Sequence, residues 1–140
     1  MDYGPLPDLI GYQLRRAQVR VFNDFSRHMT DMDLTPGQFG VLVLINANAG
    51  LNQSELGHAM GVDRSTVVSV IDRLERLGLA ERRPAPNDRR SYALYLTEQG
   101  KTVLTAARRR IRKHEENIAR HLSAEERASL LDLLKRLAGD

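Results

Sequence analysis

Nine consecutive residues, Arg82-Arg83-Pro84-Ala85-Pro86-Asn87-Asp88-Arg89-Arg90, set four guanidiniums against one carboxylate. Guanidiniums fork onto phosphate oxygens, so the chemistry open to this stretch is holding a polyanion. Its two prolines bar it from a helix. Apolar residues follow in alternation at Tyr92, Leu94 and Leu96. A stiff basic loop between two short extended runs predicts a hairpin that reaches for the DNA backbone. Asp88 stands two residues before Arg90, close enough to accept its hydrogen bonds and fix its rotamer. An arginine held in place loses less side-chain entropy on entering a minor groove. Arg83, Asn87, Asp88, Arg89 and Arg90 are therefore candidate DNA contacts.

A second set opens a helix at Asp63-Arg64-Ser65-Thr66. Val67, Val70, Ile71 and Leu74 follow helical spacing and must face a core, which leaves Arg64, Ser65, Thr66, Ser69 and Arg73 outward. Hydroxyls and guanidiniums suit mixed phosphate and base contact, and Ser54 on the preceding helix joins them. The bland alternative is that Ser65 and Thr66 only support the helix start while the arginines are solvated. The basic hairpin nearby tips the balance towards DNA. A third set, Lys101 to Lys113, holds Arg108, Arg109, Arg110 and Arg112 without one acidic residue. It is either a solvated helix face or an anion site. The four histidines, His28, His58, His114 and His121, have no paired metal-ligand spacing. With no glycine-rich phosphate loop and no nucleophile elbow, the expectation is no catalytic residue, no metal and no cofactor. Cysteine is absent, which excludes disulfides and thiol switches.

The elements that position these residues are mostly helical. The chain has 140 residues, enough for one domain with a modest core. Its net charge of +3 is small, so the placement of the arginines matters more than their sum. Neither a signal peptide at Met1-Asp2-Tyr3-Gly4-Pro5 nor a bilayer-spanning apolar run is expected, which points to a cytoplasmic protein. Helical spacing of Leu9, Leu14, Ala17, Val21, Phe22 and Phe25 predicts a first helix that begins after Pro7, with Asp8 as its cap, and runs to about Met29. Thr35-Pro36-Gly37-Gln38 starts a second, Asn52-Gln53-Ser54-Glu55 a short third ended by Gly61, and Asp63 caps the fourth, stopped by Gly78. The third and fourth make a helix-turn-helix. Strands 79–83 and 91–96 flank the loop, a long basic helix runs from Thr97 to about His121, and Ser123 opens a last helix ending near Ala138. The order is α-α-α-α-β-β-α-α, a mainly α fold with a small β-hairpin.

Leu34-Thr35-Pro36-Gly37-Gln38-Phe39, Asn52-Gln53-Ser54-Glu55-Leu56, Asp63-Arg64-Ser65-Thr66-Val67 and Leu74-Glu75-Arg76-Leu77-Gly78-Leu79 resemble successive motifs of the MarR family. Asp88-Arg89-Arg90, followed by Leu96-Thr97, resembles the wing pattern of that family. Asn52 departs from it, since many members carry threonine there, but either residue can cap a helix. The resemblance implies a homodimeric winged helix-turn-helix transcription regulator, more often a repressor, on a near-palindromic operator. It implies a helical dimerisation region, 1–33 with 98–140, and a DNA-binding lobe, 34–97. The wing-tip arginine of the family falls on Arg90 and its supporting aspartate on Asp88. Members respond to small aromatic acids or to oxidants, and the lack of cysteine closes the second route. The implied ligand pocket lies between the dimer helices and the lobe, with Tyr12, Arg16, Phe25, His28 and Phe39 as candidates. Phe25 and Phe39 fit a core equally well. Arg108 and Arg112 join the candidates if the effector is an anionic aromatic compound or its acyl-CoA thioester. The competing readings are a sequence-indifferent architectural DNA-binding protein and a winged-helix protein-interaction module.

Overall fold

The computed structural model describes residues 1–140, with Arg89 described by its backbone alone. A 3-10 turn, Leu6–Asp8, precedes α1 (Ile10–His28), α2 (Pro36–Ala47), α3 (Gln53–Met60) and α4 (Arg64–Arg76). Then come β1 (Ala80–Ala85), β2 (Asp88–Leu96), α5 (Glu98–Ile118) and α6 (Ala124–Ala138). The helical starts follow from their caps. Thr35, Asn52 and Ser123 each close a reciprocal capping box with the side chain three residues on, which satisfies two otherwise orphaned backbone donors per helix. Gly61 and Gly78 take left-handed φ values of 65° and 72° after α3 and α4, where a Cβ would be strained.

Three boundaries differ from expectation. Asp8 is not a helix cap: its N–H closes the 3-10 turn on Pro5 O at 3.1 Å, Leu9 is extended, and α1 begins at Ile10. The fifth helix ends at Ile118, three residues before His121. The hairpin is longer than the alternation showed, with Pro84, Ala85 and Asp88–Arg90 inside the ladder and only residues 86–87 turning. Pro84 pairs opposite Tyr92 at a register shift, an irregular place in a ladder where its missing N–H is tolerated.

Packing divides the chain into residues 29–110 and a second unit made of 1–28 with 111–140. The first half of α5 therefore belongs with the lobe, beyond the boundary expected at residue 97. Leu79 and Gly100 explain this. A Cβ on Gly100 would lie 2.0 Å from Leu79 O, so only glycine lets α5 start against the base of β1. Thr97 Oγ1 donates to Gly78 O at 2.6 Å and accepts from Gly100 N at 2.9 Å. The core of the lobe is Val41, Leu42, Ile45, Leu56, Val67, Ile71, Leu74, Leu94, Leu104 and Ala107, all nearly inaccessible. The loop between α2 and α3 adds a third edge to the hairpin: Gly50 N donates to Leu94 O at 2.8 Å and Leu94 N to Leu51 O at 2.9 Å.

The second unit is built differently. Its buried residues are Asp24, Phe25 and His114. Leu9, Ile10, Leu14, Val21 and Phe22 on α1 and its lead-in stay exposed, as do Leu130, Leu131, Leu133, Leu134 and Leu137 on α6. Two amphipathic helices thus present apolar faces that nothing in the single chain covers. Among the described residues, no helix is long and apolar enough to cross a membrane.

Candidate nucleic-acid interface

The fourth helix is set by its cap. Asp63 Oδ1 accepts from Thr66 N at 2.8 Å and from Ser65 Oγ at 2.9 Å. The Thr66 hydrogen bond, helped by Ser65, holds the Asp63 carboxyl below its ordinary value of 3.8. Gly57 lets α4 close on α3, because a Cβ there would meet Val67 Cγ2 at 3.0 Å and Val62 O at 3.3 Å. With Val67, Ile71 and Leu74 buried, Arg64, Ser65, Thr66 and Ser69 face solvent. Ser65 Oγ and Thr66 N brace the helix start, and both residues lie on its exposed face.

The hairpin stands on Arg82. Its Nε donates to Gln53 Oε1 on α3 at 2.8 Å, its NH2 pairs with Asp72 at 2.9 Å and reaches Val68 O at 3.4 Å, and its NH1 pairs with Glu75. Only 16% of that side chain is exposed. One guanidinium therefore bolts β1 to both helices of the helix-turn-helix, a role no local pattern in the sequence announces. Beyond it, Arg83 pairs with Glu81 and stacks over the Tyr95 ring at 4.2 Å.

At the tip, Asp88 Oδ1 accepts from the backbone N–H of Arg90 at 2.9 Å. The aspartate thus shapes the chain that carries Arg90 rather than gripping its guanidinium, which corrects the side-chain buttress expected from spacing. Arg90, Asn87 and Asp88 are exposed. The expectation for Arg89 as a contact lies outside the described side chains. Ser54, His58 and Arg64 from the two helices and Asp88, Arg90 and Tyr92 from the hairpin line one open cleft of about 520 Å³. Arg73 does not join them. It stands nine residues past Arg64, roughly half a turn round the helix, and its NH2 pairs with Asp33 Oδ2 at 2.6 Å.

The candidates for a ligand site fall into separate groups. Arg16 lies over the Tyr12 ring at 5.9 Å. Phe25 is buried and meets the His114 ring edge-on at 5.7 Å. Tyr12 and Phe25 are thirteen residues apart on α1, about 20 Å along its axis. Phe39 is half-buried in the lobe, and Arg108 and Arg112 are exposed on α5. The basic run there is less bare than its sequence, because Arg110 makes a two-pronged ion pair with Asp31. Hydrogen bonding with Arg110 holds the Asp31 carboxyl below its ordinary value.

A feature the sequence did not show is a polar knot around Asp24. Its Oδ2 meets His114 Nδ1 at 2.7 Å and His28 Nδ1 at 3.2 Å. Its Oδ1 accepts from Asn117 Nδ2 at 2.5 Å and Arg27 at 2.9 Å. Burial pushes this carboxyl up, but the hydrogen bonds of His114 and Asn117 and the charges of His28 and His114 outweigh it and hold it below 3.8. Ninety residues separate Asp24 from His114, so no spacing rule could have paired them.

Residues 32–91 match a family model described as MarR family. The chain is 40% identical over 136 residues to the putative transcriptional regulatory protein for the hcr operon of Thauera aromatica, covering 96% of this chain and 82% of that protein. It is similar to the transcriptional repressor CouR bound to a 23-mer DNA duplex, at 40% identity and a TM-score of 0.95, covering 99% and 98% of the two chains. A CouR structure bound to p-coumaroyl-CoA is 37% identical with a TM-score of 0.92, covering 100% and 99%.

Proposed function

The chain belongs to the MarR family of winged helix transcription regulators, and from that premise we propose that it is a cytoplasmic, homodimeric repressor. It holds a near-palindromic operator and releases it when an anionic aromatic compound, or its acyl-CoA thioester, binds. The observation that carries this reading is the shared cleft, in which Arg64 of α4 and Arg90 of the wing face one space. A helix in the major groove and an arginine in the adjacent minor groove together explain that pairing.

The dimer rests on the open apolar faces of α1 and α6, since a second copy is the simplest self-complementary cover. A dimer that sets its two recognition helices in successive major grooves, about one helical turn apart, calls for a near-palindromic operator. The effector class is supported by an aromatic ring and guanidiniums within one unit: Arg16 lies over the Tyr12 ring on α1 and Arg112 is exposed on α5. Guanidiniums of this kind suit the carboxylate of an aromatic acid or the phosphates of its coenzyme A thioester. CouR, the similar repressor, has been seen with both DNA and p-coumaroyl-CoA.

Fluorescence anisotropy on a duplex from the promoter beside the gene tests the proposal. A palindromic duplex should bind at least ~10³-fold tighter than its scrambled version, and p-coumaroyl-CoA should release it. Equal affinity for random duplex would indicate an architectural protein, and no affinity for DNA an interaction module. DNA binding that ignores p-coumaroyl-CoA and the free acid alike would remove the effector class.

A further inference from the structure

The knot on α1 and α5 has the composition and convergence of a chelate. Asp24 and His28 are four residues apart on one helix, a spacing that stacks two side chains on one face. From α5, His114 brings a third donor atom, and the Asp24, His28 and His114 donors all lie within 4.8 Å of one another. His114 Nδ1 meets Asp24 Oδ2 at 2.7 Å, while His28 Nδ1 lies 3.2 Å from that oxygen and 2.8 Å from the Asp24 main-chain carbonyl. Four-coordinate zinc, with bonds of about 2.0–2.1 Å, holds its ligand atoms about 3.3 Å apart. Opening the His114 contact by roughly 0.6 Å, freeing His28 Nδ1 from the Asp24 carbonyl and losing the Nδ1 protons would turn this cluster into a coordination site.

We propose that Asp24, His28 and His114 form a binding site for a first-row divalent cation, with zinc as the occupant. Two imidazoles and a carboxylate, without thiolate, are an N/O set that suits zinc and its neighbours. The outer partners are in place. Asn117 and Arg27 hold Oδ1 and so orient the carboxylate from behind, as the second layer of a metal site does. A cavity of about 430 Å³ opens beside two of the donors, Asp24 and His28, and is lined also by Arg27, Asn117 and Arg120. It provides an entry path and room for a fourth ligand, and the two guanidiniums favour an anionic one there. Three protein ligands plus one open position is the arrangement of an exchangeable site rather than a closed structural one. Binding clamps α1 to α5 within their unit and does not depend on the DNA-binding reading.

The test uses the full-length protein stripped with a chelator and titrated with Zn²⁺ against a chromogenic competitor. Thermal unfolding is followed in parallel. One Zn²⁺ per chain and a raised Tm are expected. His28→Ala is the primary variant because that side chain is partly exposed, and Asp24→Asn is the second. Each should weaken binding at least tenfold while circular dichroism shows the fold retained, whereas His58→Ala, in the DNA-facing cleft of the other unit, should leave Zn²⁺ binding unchanged. Absence of stoichiometric binding, or binding that His28→Ala leaves unmoved, overturns the proposal.

Discussion

Arg82 and Arg90 are eight residues apart in one hairpin and do opposite work. Arg82 is wrapped by Gln53, Asp72, Glu75 and the Val68 carbonyl, so removing it strands four acceptors, two of them charged. Arg82→Ala should cost about 2 kcal/mol in chemical denaturation, and lysine should not restore it because an ammonium cannot fork to partners in several directions. Arg90→Ala should leave stability within about 0.5 kcal/mol. Its loss should appear in DNA binding, as weaker affinity and a salt slope smaller by about one. Asp88 separates geometry from charge. Asparagine can still accept the Arg90 N–H, so Asp88→Asn should bind operator nearly as well as the parent while Asp88→Ala weakens it several-fold. Tighter binding by both variants in the same anisotropy assay would show that charge alone governs the wing.

At the level of elements, stability sits where chain segments meet closely. Gly100→Ala would drive a methyl into Leu79 O and should cost about 3 kcal/mol, read as a fall in Tm. Thr35→Ala, which removes the α2 cap, should cost about 1 kcal/mol. The Asp63 cap adds a pH dependence whose sign follows from its lowered carboxyl. Its contribution is complete above the ordinary value of 3.8 and fades as pH falls through the lower folded value. Asp63→Asn keeps the acceptor without the titration, so between pH 4 and pH 2 it should lose less stability than the parent. These starts and stops were legible in the sequence because caps and left-handed glycines are local: Thr35, Asn52, Asp63, Gly61, Gly78 and Ser123 each act within a few residues. The hairpin was legible in kind but not in length, since Pro84 hid a ladder that continues past it. Arg82 and Asp24 were not legible. The partners of Arg82 lie 7 to 29 residues away. Asp24 adds His114 and Asn117, 90 and 93 residues away, to its own helical neighbours Arg27 and His28, and pattern carries no such long-range information.

The whole molecule is uneven: the lobe has a filled core, while the unit of α1, α6 and the end of α5 leaves its leucines open. If a second copy covers them, stability must rise with protein concentration. Leu134→Glu should then yield monomers in analytical ultracentrifugation and abolish tight operator binding while the lobe stays folded. Retention of dimers would move the interface elsewhere. Within the lobe, the Arg82 contacts have a consequence for what kind of DNA is acceptable. Because β1 is tied to α3 and α4 alike, the wing and the reading helix behave as the two arms of a fixed caliper. If the wing enters a minor groove as proposed, Arg82 resists bending at the base of that arm, and the duplex would have to narrow or widen its groove to fit. Selection then extends to base pairs that no side chain touches, through how readily each sequence deforms.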